Sequence, residues 1–182
     1  MSRRCGNCTL CCRLLPQREL NKPALKRCEH QRHTGCKIYD RRPPSCRLWS
    51  CEWLLGQDGT AGLRRPDFSH YVIDVMPDFV TAVQESGERQ HIPVIQVWVD
   101  PKHRSAHLDP ALRAYLARRG EEEGAAALIR YSSNDGFVLF PPALTGGDWV
   151  EHHDGVSDRE HTAEEKFAVL QSTMSDAVMK VS

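Results

Sequence analysis

The chain has 182 residues, 40% of them hydrophobic and 26% charged, and its 24 basic side chains equal its 24 acidic ones. That balance suits a folded globular chain and speaks against wholesale disorder. The longest apolar runs, such as residues 137–140, are far too short to span a bilayer, so a membrane class is excluded from the reading.

The zero net charge hides an asymmetry, because residues 1–53 hold twelve Lys or Arg against four Asp or Glu, and residues 54–182 hold twelve against twenty. All eight cysteines fall in the basic part, at Cys5, Cys8, Cys11, Cys12, Cys28, Cys36, Cys46 and Cys51. No apolar stretch precedes them in the manner of a secretory signal, so the expected compartment is the reducing cytoplasm, where dense cysteines read as metal ligands rather than disulfides. Each bound thiol must give up its proton, and nearby Arg and Lys ease that ionisation. A nucleic-acid footprint is disfavoured, since the basic residues are scattered and form no run.

In chain order, Cys5-Gly6-Asn7-Cys8 is a pair whose two central residues take turn conformations readily, letting two sulfurs converge. Cys11 follows at the same spacing and Cys12 is its immediate neighbour. Adjacent side chains point in different directions, so Cys11 and Cys12 together suit a polynuclear cluster, or two sites that split the pair, better than one tetrahedral ion. Cys28, Cys36, Cys46 and Cys51 arrive at wider, irregular intervals, as from separate loops folded back on the first group. Arg42 and Arg47 are candidates to hydrogen-bond ligand sulfurs, with solvated arginines as the bland alternative. Trp49, Trp53, Leu54 and Leu55 offer an apolar wall.

The Cys-x2-Cys-x2-Cys-Cys opening, the segment from Cys36-Lys-Ile-Tyr-Asp-Arg-Arg-Pro-Pro-Ser to Cys46-Arg, and Trp49-Ser-Cys51-Glu-Trp53 together resemble the YkgJ-type cysteine-cluster family of zinc- or iron-chelating domains. The resemblance covers residues 5–55. It implies that cysteines at these positions ligate iron, including as an iron–sulfur cluster, or zinc, and it implies little about a reaction. Related sequences often carry a further cysteine after the histidine that follows the Cys28 position. Here Cys28-Glu29-His30 is followed by Gln31, leaving open whether His30 or His33 takes a ligand's place.

Composition changes after Gly56, Gly59 and Gly62, which gives a division into a cysteine-cluster metal-binding domain (1–58), an α+β module (63–145), and a linker with a C-terminal amphipathic helix (146–182). In the module, residues 71–75 and 79–83 read as a hairpin about Pro77-Asp78, and 94–99 as an interior strand. Asp109-Pro110 opens a helix that ends near Gly120. Residues 128–131 and 137–140 flank the turn signal Asn134-Asp135-Gly136. The expected fold class is α+β, a small loop-rich cysteine domain followed by a mostly antiparallel sheet with packed helices.

The module offers little chemistry. Its polar candidates are His70, His91, Asp74, Asp100 and the four-spaced pair His103 and His107, which lie in a loop and match no metalloprotease signature. Residues 121–123 read as a solvated acidic face, and His152, His153 and His161 as part of a linker. From Thr162, capping-box spacing and Phe167, Leu170, Met174 and Val178 at helical intervals predict an amphipathic helix that docks on the sheet. The functional expectation is a metal-binding protein with a redox or metal-handling role and a protein partner of that kind. The alternative is a structural zinc module supporting an α+β part that binds a ligand or partner.

Overall fold

β-Branched and aromatic residues from Tyr71 onward build two long strands, β3 (Tyr71–Val83) and β4 (Arg89–Val99), paired antiparallel with Tyr71 opposite Val99 and Val83 opposite Arg89. In this computed structural model, which describes residues 3–83, 86–153, 164, 165, 168 and 169, the expected hairpin about Pro77 is replaced by one continuous strand. Pro77 lies in a bulge between Asp74 and Asp78 on the edge strand of the sheet, where its missing N–H costs no ladder bond.

Ile95, Val97 and Val99 of β4 join Tyr71 and Ile73 on one face, and Val94 and Trp98 point to the other. Helix α5 (Pro110–Glu123) covers the first face with Leu112, Tyr115 and Leu116. It starts as expected, the Asp109 carboxylate accepting from the Ala111 amide at 2.9 Å with Pro110 in the first turn. It passes through Gly120, where an added Cβ would overlap the Pro141 ring, and stops at a left-handed cap on Gly124. The crossover through α5 makes β4 and β5 (Ala126–Arg130) parallel.

Strand β6 (Gly136–Phe140) returns antiparallel to β5, with Arg130 opposite Gly136. A side chain at 136 would overlap the Ile129 carbonyl oxygen, so the strand needs glycine there. A short helix α6 (Pro142–Thr145) leads to β7 (Val150–His152), which pairs with β6 as the fifth strand in the order β3-β4-β5-β6-β7. The sheet thus extends past residue 145 into the stretch expected as linker. Residues 164, 165, 168 and 169 are helical, whereas the expected stripe of Phe167, Leu170, Met174 and Val178, and His161, lie outside the described residues.

The cysteine-bearing segment is made of short pieces: α1 (Leu10–Leu14), the strand pair β1 (Gln31–Arg32) and β2 (Gly35–Cys36), α2 (Pro44–Leu48), α3 (Glu52–Leu55) and α4 (Pro66–Ser69). Between them lie single 3-10 turns at Arg18–Leu20 and Tyr39–Arg41. Leu10, Leu14, Cys8 and Cys51 are buried against Val72 and Trp98, on the sheet face opposite α5. Each fully buried leucine there contributes about 1.5–3 kcal/mol of apolar transfer. Trp49 Nε1 donates to Asp74 Oδ1 at 2.9 Å, a second tie between segment and sheet. The fold is α+β with a mixed sheet. Among the described residues no helix is long and apolar enough to cross a membrane.

Candidate metal centre

The first cysteines are placed by a turn. Gly6 sits at φ +53, a region side chains disfavour, and lets the Cys8 amide reach the Cys5 carbonyl at 3.0 Å. The chain then enters α1, which carries Cys11 and Cys12. Successive residues on a helix diverge by about 100°, yet these two thiols hydrogen-bond to each other and share Cys5 as a neighbour, while each also reaches a cysteine of its own. Cys11 interacts with Cys5 and Cys51, and Cys51 in turn with Cys5 and Cys8. Cys12 interacts with Cys46, which also interacts with Cys28. The Cys28 amide donates to the Cys12 carbonyl at 3.1 Å, fixing that loop on the helix.

Two neighbourhoods result, Cys5, Cys8, Cys11 and Cys51 on one side, and Cys12, Cys28 and Cys46 on the other. They meet at the adjacent pair, where Cys11 hydrogen-bonds to Cys12 and Cys12 also interacts with Cys5. Cys36 is half-buried on β2, opposite Gln31. All eight cysteines are free thiols. The grouping brings donors together without closing on a point. Among the described residues, no three thiols have their sulfurs within 4.8 Å of one another, and rotation about χ1 would have to complete a ligand shell.

Cations line the second neighbourhood. Lys22 is 8% exposed, and its ammonium donates to the carbonyls of Leu15 and of Pro23, the latter at 3.2 Å. Burial lowers its pKa, and Cys28, Cys12, Cys11 and Cys46 oppose that. Arg42 Nη1 donates to the Cys46 carbonyl at 3.2 Å, and its guanidinium lies over the Tyr39 ring. Gln17 Nε2 donates to Cys46 Sγ at 2.9 Å. At the first neighbourhood, Arg65 acts on Cys5 and Cys8 and is itself paired with Asp67 at 2.6 Å.

These contacts separate the thiols by acidity. Cys12 is pulled down to about 7, first by its hydrogen bond with Cys11 and then, against its burial, by Lys22 and Arg42. Cys11, the other partner of that bond, is pushed well up by it and by burial. Burial raises Cys5, Cys8 and Cys46, and pushes Cys51 up to about 11. The donor chemistry fits a soft cation: two thiols hydrogen-bonded to each other, further cysteines around them, and fixed cations that favour ionisation of Cys12.

Of the two arginines singled out from the sequence, Arg42 faces the thiols, whereas Arg47 is exposed on α2. His30 lies beside Glu29 at 3.4 Å, and His33 is exposed on the turn between β1 and β2. Lys22 and Arg65 carry no spacing signal, and only the folded chain brings them to the cluster.

The module's polar candidates disperse, with one exception. His91 shares a 3.0 Å hydrogen bond with Thr81 on the outer hairpin. The pair His103 and His107, on the 3-10 segment Pro101–Leu108, separates: His107 Nδ1 meets the Tyr131 hydroxyl at 2.9 Å, while His103 stacks on His70. Burial and the neighbouring His103 lower the His70 pKa. His153 lies beside Glu151 at 3.3 Å.

Neither a protein-family model, nor a curated protein, nor a solved structure matches the chain.

Proposed function

We propose that this is a metal-binding protein whose N-terminal cysteines hold iron, as an iron–sulfur centre or as iron alone, or zinc, in a redox or metal-handling role. The observation that carries the reading is the linked set of seven thiols, divided at Cys11 and Cys12, with Lys22 and Arg42 beside them. Cys5, Cys8, Cys11 and Cys51 would serve one site, and Cys12, Cys28 and Cys46 another. The resemblance to the YkgJ-type family points to the same metals and implies a ligand role for the cysteines of its motifs, Cys36 included.

A bound iron centre would supply one-electron chemistry, and zinc would supply a fixed, redox-inactive crosslink. The chain's own groups do the rest. Lys22 and Arg42 offset the charge that thiolates accumulate. Trp98, Val72, Leu10 and Leu14 exclude water from the Cys8 and Cys51 side. A reducing compartment, the cytoplasm, suits free thiols, and a redox or metal-handling protein is the partner class this role calls for.

A second reading is supported by Cys8 and Cys51 sharing a buried cluster with Val72 and Trp98. On it, zinc only pins the segment to the sheet, and the α+β part binds a ligand or partner. Metal and acid-labile sulfide content, with a visible spectrum, on protein purified without oxygen separates the two. Iron with or without sulfide supports the first reading. Zinc without sulfide moves the weight to the second, and protein that holds no metal at all overturns both.

A further inference from the structure

The β3–β4 pairing continues one step past its last strand residues, because the Asp100 amide donates to the His70 carbonyl at 2.8 Å. The Asp100 carbonyl accepts from His103 N at 2.8 Å, which turns the 3-10 segment back over the strand end. The imidazoles of His70 and His103 stack there, centroids 3.7 Å apart and planes within 10°. One donor atom from each of His70, Asp100 and His103 lies within 4.8 Å of the others.

His70 holds φ +64 as the left-handed C-cap of α4, its amide donating to the Pro66 carbonyl at 2.8 Å. The two rings also border an open groove of about 680 Å³, whose walls include Arg64, Ser105, Leu108 and Asp109. Asp100 is 4% exposed and His103 is open to solvent, so a buried carboxylate stands behind accessible imidazoles.

We propose that His70, Asp100 and His103 form a second metal site, distinct from the thiols, that takes a first-row divalent cation such as Zn(II) or Fe(II) and leaves coordination positions open toward the groove. Two imidazoles and one carboxylate are the donor set such ions accept while retaining free positions. The rings must splay from their stack to aim both nitrogens at one ion. Arg13 pairs with Asp100 Oδ2, and Oδ1, which accepts from the Lys102 amide at 3.2 Å, is the oxygen left for the cation. Arg13 directly follows Cys12 on α1, so a single carboxylate ties the thiol helix to this site. The site's donors are its own, and the inference stands apart from whether the thiols hold metal.

The test uses the full chain as purified, with weakly held ions removed, and adds Co(II) while bound equivalents and the absorption spectrum are read. One further equivalent is expected, with weak visible bands and no added thiolate-to-metal charge-transfer absorption. His103→Ala, and His70→Asn, whose side chain tolerates left-handed backbone, should each weaken that equivalent at least about tenfold, with circular dichroism unchanged. His153→Ala should leave it intact. A check free of variants is Mn(II), which avoids thiolates: it should broaden the ring signals of His70 and His103 in the proton NMR spectrum of the unsubstituted protein. No further Co(II) equivalent, one retained by both folded variants, or Mn(II) broadening confined to other histidines overturns the proposal.

Discussion

Glu52 follows Cys51 directly, is fully buried, and has neither carboxylate oxygen in a well-formed hydrogen bond. Burial raises its pKa above the usual 4.5, Tyr115, Arg119 and Arg3 oppose the rise, and Glu123 adds to it. The folded state therefore holds this proton more tightly than the unfolded chain does. Its contribution to stability is complete below about pH 4.5 and is lost as pH rises through the folded-state value. Glu52→Gln removes that loss. Urea unfolding at about pH 5 and about pH 8 should show the variant gaining on the unsubstituted protein as pH rises. A difference that is flat or falls with pH would mean that folding does not raise the pKa of this carboxyl. Residue identities alone could not disclose this group, because Glu52 is legible only as one position of the Trp49-Ser-Cys51-Glu-Trp53 motif beside an apolar wall. Lys22 and Arg65 were hidden for the same reason: a charged residue's partner is chosen by loops that fold back, not by spacing.

Among the elements, those with a complete local signal were legible. Asp109-Pro110 gave the start of α5, the doubly apolar run gave β4, and Asn134-Asp135-Gly136 gave the return from β5 to β6. The errors came where local chemistry has two uses. Pro77 reads as a turn but sits in an edge-strand bulge, and Gly120 reads as a helix end but makes room for Pro141. β7 is three residues long and exposed, with too little patterning to register. Gly136 allows a test at this scale, since a methyl there would meet backbone rather than a yielding side chain. Gly136→Ala should destabilise the protein by about 1–3 kcal/mol, seen as a lower urea midpoint with an unchanged slope. An unaltered midpoint would show that the hairpin shifts at no cost.

For the molecule as a whole, the sheet is the platform that makes both candidate sites. One face buries α5, the other receives Cys8, Cys51, Leu10 and Leu14, and the open end of the β3–β4 hairpin sets His70 beside Asp100. The eight cysteines were legible as candidate metal ligands, but the hydrogen bond that joins Cys11 to Cys12 was not, since neighbouring side chains were expected to point apart. The sequence did not disclose how the other cysteines divide, because irregular loops carry no periodicity from which direction can be read. His70, Asp100 and His103 were visible only as separate polar residues, and the register of the hairpin is what unites them.

The proposed metal role rests on the linked thiols that meet at Cys11 and Cys12. It is tested by metal content per chain in Cys11→Ser, Cys12→Ser and the combined variant, each purified without oxygen beside the unsubstituted protein. Cys11→Ser and Cys12→Ser should each lose part of the metal, and the combined variant should lose more than either. Metal content equal to that of the unsubstituted protein in all three variants would contradict the role.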